Sequence, residues 1–138
     1  MSDLQDQAQL FRHVIHLPAL YALADGDRLF AEELLNIFTG DARHQMQRLC
    51  DAVAAQDYAE IYQAAHALKG ACASVGAVTA QATCQQLERQ GRVETLQDAE
   101  QHLSRLQATL DEIYAIAQAE TSIPADAWEQ SQVSTPSL

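Results

Sequence analysis

The stretch Tyr58-Ala59-Glu60-Ile61-Tyr62-Gln63-Ala64-Ala65-His66-Ala67-Leu68-Lys69-Gly70-Ala71-Cys72-Ala73-Ser74-Val75-Gly76 decides how this chain is read. Tyr58, Ile61, Ala65, Leu68, Cys72 and Val75 step by 3, 4, 3, 4 and 3, which lays one apolar seam along a helix over 57–75. Gly76 is placed to end that helix, because glycine takes the left-handed conformation of a helix terminus without steric cost. The seam also says where the remaining side chains point. At 100° per residue His66 lies roughly 130° from the middle of the stripe, so its ring faces water or the edge of the fold and not the core.

Working outward, the same 3,4 spacing recurs on both sides. Phe30, Leu34, Phe38, Ala42, Met46, Leu49 and Val53, with Ile37 beside them, predict a long helix from about Arg28 to Gln56-Asp57. Asp25-Gly26-Asp27 supplies a break and an N-cap before it, and Pro18 opens a short helix over 18–24. Gly40 is the weak point of the long helix. One interior glycine costs about 1 kcal/mol relative to alanine, which a stripe continuing on both sides offsets, so one helix is expected and not two. After Gly76, Ala77, Ala80, Cys84 and Leu87 predict a helix that closes at Gly91, and Leu96, Ala99, Leu103, Leu106, Leu110, Ile113 and Ala117 predict a last one. Four long helices joined by short links imply an all-α fold, an antiparallel up-and-down four-helix bundle with a short extra N-terminal helix. The chain divides accordingly into an N-terminal segment over 1–17, the bundle over 18–120 and a tail over 121–138. The tail is rich in Ser, Pro, Gln and Thr and is expected to be loose, with Ile123 and Trp128 its candidates for docking.

Composition narrows the function classes. In 138 residues, 48% are hydrophobic, enough for one core, and five glycines and three prolines are few for a fold of short strands and turns. Nineteen acidic residues against eight basic ones leave a formal charge of −11, which argues against nucleic acid or an anionic membrane surface as partner. The apolar runs fall far short of the roughly 20 residues of a membrane span, and the polar start Met1-Ser2-Asp3-Leu4-Gln5-Asp6 lacks the pattern of a signal peptide. A cytoplasmic, monomeric module is the expectation. Cys50, Cys72 and Cys84 show no CxxC spacing and fall where a helical pattern buries them.

The residues around His66 point to a chemistry. Tyr62, Gln63, Lys69, Gly70 and Ala73 share its face at helical spacing. Lys69 is the only lysine in the chain, one turn away, where an ammonium can pair with an anionic group carried by the ring. Gly70 sits mid-helix almost directly above His66, and a missing side chain lets another protein's backbone come close. Ala73 continues the low surface, and Tyr62 and Ala73 read as shaping a docking surface. A reachable imidazole with a cation beside it and bulk cleared above it suits phosphoryl transfer, since neutral imidazole is a good nucleophile near pH 7 and its phosphoramidate is labile enough to pass the group on.

The run Ala65-His66-Ala67-Leu68-Lys69-Gly70 through Gly76-Ala77 resembles the AHxLKGxxxxxGA signature of histidine phosphotransfer (HPt) domains of bacterial phosphorelays. The resemblance extends upstream to Gly26-Asp27-Arg28-Leu29-Phe30 with Leu34-Leu35-Asn36-Ile37-Phe38, similar to the family's GD…LL..F, and downstream to Cys84-Gln85-Gln86-Leu87-Glu88, similar to its CxxLE. It covers roughly residues 18–117. It implies that His66 takes a phosphoryl group from a receiver-domain aspartate, or from a hybrid sensor histidine kinase, and gives it to a response-regulator receiver. It implies charge support from Lys69, receiver docking at Gly70, and an imidazole-orienting partner at Glu88, with Gln85 one turn away. It further implies a phosphocarrier with no catalytic activity of its own and no cofactor, Mg²⁺ being expected on the partner receiver.

Other readings weigh less. A sensor kinase's dimerisation helices also present a histidine, but in an H-E/D-x-x-x-P context that Ala67 and the missing proline oppose. An adaptor that binds receivers without carrying phosphate is opposed by the intact His66, Lys69 and Gly70. His13 and His16 have a metal-like spacing without a third ligand and read as a surface pair. Cys72 and Cys84 lie on the seam and point away from His66, which discounts a cysteine–histidine pair.

Overall fold

The structure, a computed structural model, describes residues 14–118 and 128–129. Five helices and no strand are present among them: α1 (Leu17–Leu23), α2 (Arg28–Ala54), α3 (Tyr58–Val75), α4 (Val78–Val93) and α5 (Ala99–Ala117). Asp27 is the cap the sequence calls for, whereas Asp57, read there as the end of the long helix, caps the next one, α2 having ended at Ala54. Asp27 and Asp57 each accept a hydrogen bond from the backbone N–H three residues on, Phe30 and Glu60, satisfying donors that the first turn of a helix leaves open. Gly76 closes α3 at φ +76°, and an added Cβ there would meet the His16 carbonyl oxygen at 2.6 Å, so the position is restricted to glycine by both conformation and space. The His16 N–H in turn donates to the Gly76 carbonyl at 2.6 Å, tying the start of α1 to the α3–α4 link.

The four long helices pack in a closed cycle, α2 on α3, α3 on α4, α4 on α5 and α5 on α2, with α1 against α2 and α3. Leu20, Leu35, Leu49, Ile61, Leu68, Leu87, Leu106, Leu110 and Ile113 form the centre, all under 2% exposed. The seam of α3 is the expected one: Ile61, Ala65, Leu68, Cys72 and Val75 are buried. α2 runs unbroken through Gly40, where no atom lies within 4 Å of an added Cβ.

Three expectations are corrected. At the start of α2 the buried residues are Ala31 and Leu35, while Phe30 is 43% and Ile37 68% exposed and Leu34 only partly buried. Stepping back from Phe38 by four twice drifts roughly 80° off the buried face at 100° per residue, whereas Ala31, seven residues back, returns to within roughly 20° of Phe38. Side-chain size misled where angle decides. Second, Gly91 does not end α4, which continues to Val93 and closes at Glu94 in the left-handed region; Gly91 is buried in the α3–α4 interface instead. Third, Leu96 packs on the core from the α4–α5 link, and α5 starts at Ala99.

The expected looseness of the tail and the reading of the N-terminal segment before Val14 fall mostly outside the described residues, as do His13 and Ile123. Val14 and Ile15 are buried, and Trp128 is buried with its ring centroid 4.9 Å from that of Tyr21 on α1. No helix among the described residues is long and apolar enough to cross a membrane.

Candidate phosphotransfer site

α3 turns its seam inward and leaves His66 outside, with 59% of its side chain exposed. The imidazole is nevertheless held in place on two sides. Its Nδ1 lies 2.7 Å from Glu88 Oε2 of α4, and its ring stacks on that of Tyr62, one turn back, at 5.7 Å between centroids and 6° between planes. Tyr62, read in sequence as a docking residue, thus also touches the imidazole. Lys69 Nζ lies 3.0 Å from both Glu88 oxygens. One carboxylate, only 9% exposed, therefore faces an imidazole and an ammonium together.

A buried carboxylate without partners is costly to ionise. Burial alone pushes the Glu88 carboxyl up, but the hydrogen bonds from His66 and Lys69, with the charge of Lys69, reverse this and hold it below the ordinary carboxylate value. Ionised, Glu88 can only accept, so the Nδ1–H of His66 donates to it. The neutral ring then carries its lone pair on Nε2, the nitrogen away from Glu88.

Gly70 and Ala73 are exposed on the same helix, and nothing lies within 4 Å of a Cβ built at Gly70. Gln85 is exposed and makes no hydrogen bond to the imidazole; the α4 residue brought to His66 is Glu88. The groove between α2 and α5 lined by Arg43, Gln47, Cys50, Asp111 and Tyr114 does not include His66, which stands on open surface suited to a folded visitor. Cys72 and Cys84 are fully buried, and their mutual hydrogen bond followed by burial pushes the Cys84 thiol up, away from nucleophilic thiolate.

An exposed imidazole braced by a buried carboxylate on a helical scaffold matches a known family, whose model, described as the Hpt domain, covers residues 33–130. The chain belongs to the Hpt domain family. Membership places it among histidine phosphotransfer domains, which act in two-component phosphorelays with receiver domains and kinases. The fold is similar to the crystal structure of histidine-containing phosphotransfer protein B (HptB) from Pseudomonas aeruginosa PAO1, with a TM-score of 0.68 and 22% identity over 83% of this chain and 91% of that one. No curated protein sequence matches the chain. The Hpt match begins inside α2, so α1 and the Gly26-Asp27 turn precede it.

Proposed function

We propose that this Hpt chain is a phosphorelay intermediate in which His66 accepts a phosphoryl group from a receiver-domain aspartate, or from a hybrid sensor kinase, and passes it to the aspartate of a response regulator. The observation that carries the proposal is the division of the imidazole: Nδ1 is held by a buried carboxylate while the ring is more than half exposed. The short links 55–57, 76–77 and 94–98 and the closed cycle of helix contacts support the up-and-down four-helix bundle as its frame.

With Nδ1–H donated to Glu88, the Nε2 lone pair is free to attack the phosphorus of an aspartyl phosphate. The Nε2–P bond forms, the P–O bond to the aspartate breaks, and the aspartate leaves as carboxylate. The ring becomes an imidazolium that keeps its Nδ1 proton, and the Glu88 charge beside it stabilises that cation. In the outgoing step the same proton makes the leaving group a neutral imidazole. No proton has to move in either direction. The Mg²⁺ that neutralises the transferring group belongs to the receiver, and this chain contributes position and charge. Lys69, one turn from His66, supports the phosphoryl oxygens by exchanging part of its contact with Glu88 for them. Gly70 with Ala73 and Tyr62 admits the receiver, and Glu88 rather than Gln85 orients the ring. The chain acts in the cytoplasm as a monomeric phosphocarrier without catalysis of its own.

The test is transfer from a phosphorylated receiver domain. The chain is expected to take up acid-labile, base-stable phosphate, and His66→Gln to abolish uptake while the helical circular dichroism is unchanged. Full labelling of the variant would contradict the proposal, and a wild-type chain that binds receivers without labelling would identify an adaptor.

A further inference from the structure

The contact between His66 and Glu88 spans two helices, so something must set how closely those helices approach. Gly91 lies one turn beyond Glu88 on α4, and Tyr62 lies one turn before His66 on α3. A Cβ built on Gly91 would sit 2.7 Å from the Tyr62 backbone nitrogen, 2.9 Å from the Tyr58 carbonyl oxygen and 3.0 Å from the Tyr62 Cα. All three are backbone atoms of α3, which cannot swing aside as a side-chain tip can. Gly70 and Gly40, the other two glycines inside helices, have open space at the same position, so among the mid-helix glycines this crowding is particular to Gly91. The two rungs, Gly91 on Tyr62 and Glu88 on His66, are therefore neighbours on one seam.

We propose that Gly91 is a positioning residue: by seating α4 directly on the Tyr58–Tyr62 backbone of α3, it sets the reach of Glu88 to His66 and so the tautomer in which His66 meets its phosphoryl donor. The inference rests on His66 being the phosphorylated residue. An alanine at 91 must open the nearest contact from 2.7 Å past 3.0 Å, toward the ordinary range that starts at 3.4 Å. The same displacement one turn away takes the 2.7 Å bond between Nδ1 and Oε2 beyond the usual 2.7–2.9 Å of a charge-assisted N–H···O bond. Once Nδ1 is released, the ring's proton redistributes between its nitrogens, and Nε2 is a nucleophile for only part of the time. Glycine inside a helix is otherwise unfavourable relative to alanine, so close approach accounts for its presence here.

The experiment compares Gly91→Ala with wild type in the full chain, by ¹⁵N NMR of the His66 ring and by the rate of phosphoryl uptake from a phosphorylated receiver. Wild type is expected to show a protonated Nδ1, and Gly91→Ala a mixture of tautomers with transfer slowed roughly tenfold to a hundredfold, as displacements near 1 Å produce at reacting groups. In a Glu88→Ala background, Gly91→Ala is expected to slow transfer by less than about twofold further, since two changes acting through one contact do not add. Gly40→Ala is the control and leaves both readouts unchanged. A Gly91→Ala chain that keeps the wild-type ring signature and rate, or that slows transfer equally with and without Glu88, overturns the inference. Should Gly91→Ala not fold, Glu88→Asp withdraws the carboxylate by one methylene with the interface intact. Loss of the Nδ1–H signature is expected there, and an unchanged signature and rate overturns the inference. A wild-type chain that takes up no phosphate at His66 would instead refute the proposed function itself.

Discussion

Helices α2 and α3 lie against each other and use their polar residues in opposite ways. α2 scatters its charges along its length and pairs several locally: Arg28 with Glu32 at 3.6 Å, Gln47 with Asp51 at 3.0 Å, and Arg48 with Glu60 at the start of α3. From Ile61 to Leu87, through the rest of α3 and most of α4, Lys69 is the one formally charged side chain with histidine neutral, in a chain of 27 charged residues. That cation is turned onto Glu88, immediately after the uncharged stretch. Spread charge keeps a helix surface solvated and adds little to any one site. A carboxylate and an ammonium brought together beside one imidazole set the field there.

Breaking the second arrangement should therefore cost function far more than breaking the first. The largest effect is expected from Glu88→Ala, which frees both Nδ1 and Lys69 and should slow transfer from a phosphorylated receiver roughly tenfold to a hundredfold; an unchanged rate would show that the carboxylate is only structural. Glu88 also ties stability to pH. Its value is lowered in the folded chain, so its stabilisation is present above the ordinary carboxyl value near 4.5 and is lost as pH falls through the lowered value. Denaturant melts are expected to show wild type losing stability below about pH 4.5 relative to Glu88→Gln, and parallel curves would contradict this. Next, Gly70→Ala should separate stability from function. Added helix propensity is expected to stabilise the chain by about 1 kcal/mol, while the methyl group on the docking face slows uptake from the receiver. The smallest effect belongs to α2, where Arg48→Gln removes a half-exposed pair and should change stability by under about 1 kcal/mol with transfer unaltered.

What could be read from sequence divides along the same line. The outward position of His66, Lys69 and Gly70 follows from the α3 seam, because within one helix 100° per residue fixes every direction once the buried face is known. At the start of α2 size and angle disagree: Phe30 and Ile37 are large and apolar, yet Ala31 and Leu35 hold the angle that faces the core. Relations between helices were less legible. Glu88 came from the family resemblance, and periodicity alone could not say whether it or Gln85 reaches across, because that depends on the depth at which α4 sits against α3. The residue at that depth, Gly91, carries the same signal in sequence as a helix stop. A glycine near the end of an apolar pattern reads either way until the neighbouring backbone is in place. The stacking of Tyr62 on His66 has an i,i+4 signal, but ring orientation is a property of packing.

The central claim is that His66 receives the phosphoryl group on the nitrogen that Glu88 leaves free. NMR of ¹⁵N-histidine-labelled chain, phosphorylated by a receiver domain and observed through ³¹P and ¹⁵N, tests it most directly. Phosphorus coupled to Nε2 of His66, with Nδ1 still protonated, is the predicted result; phosphorus on Nδ1, or on any other residue, would contradict the account.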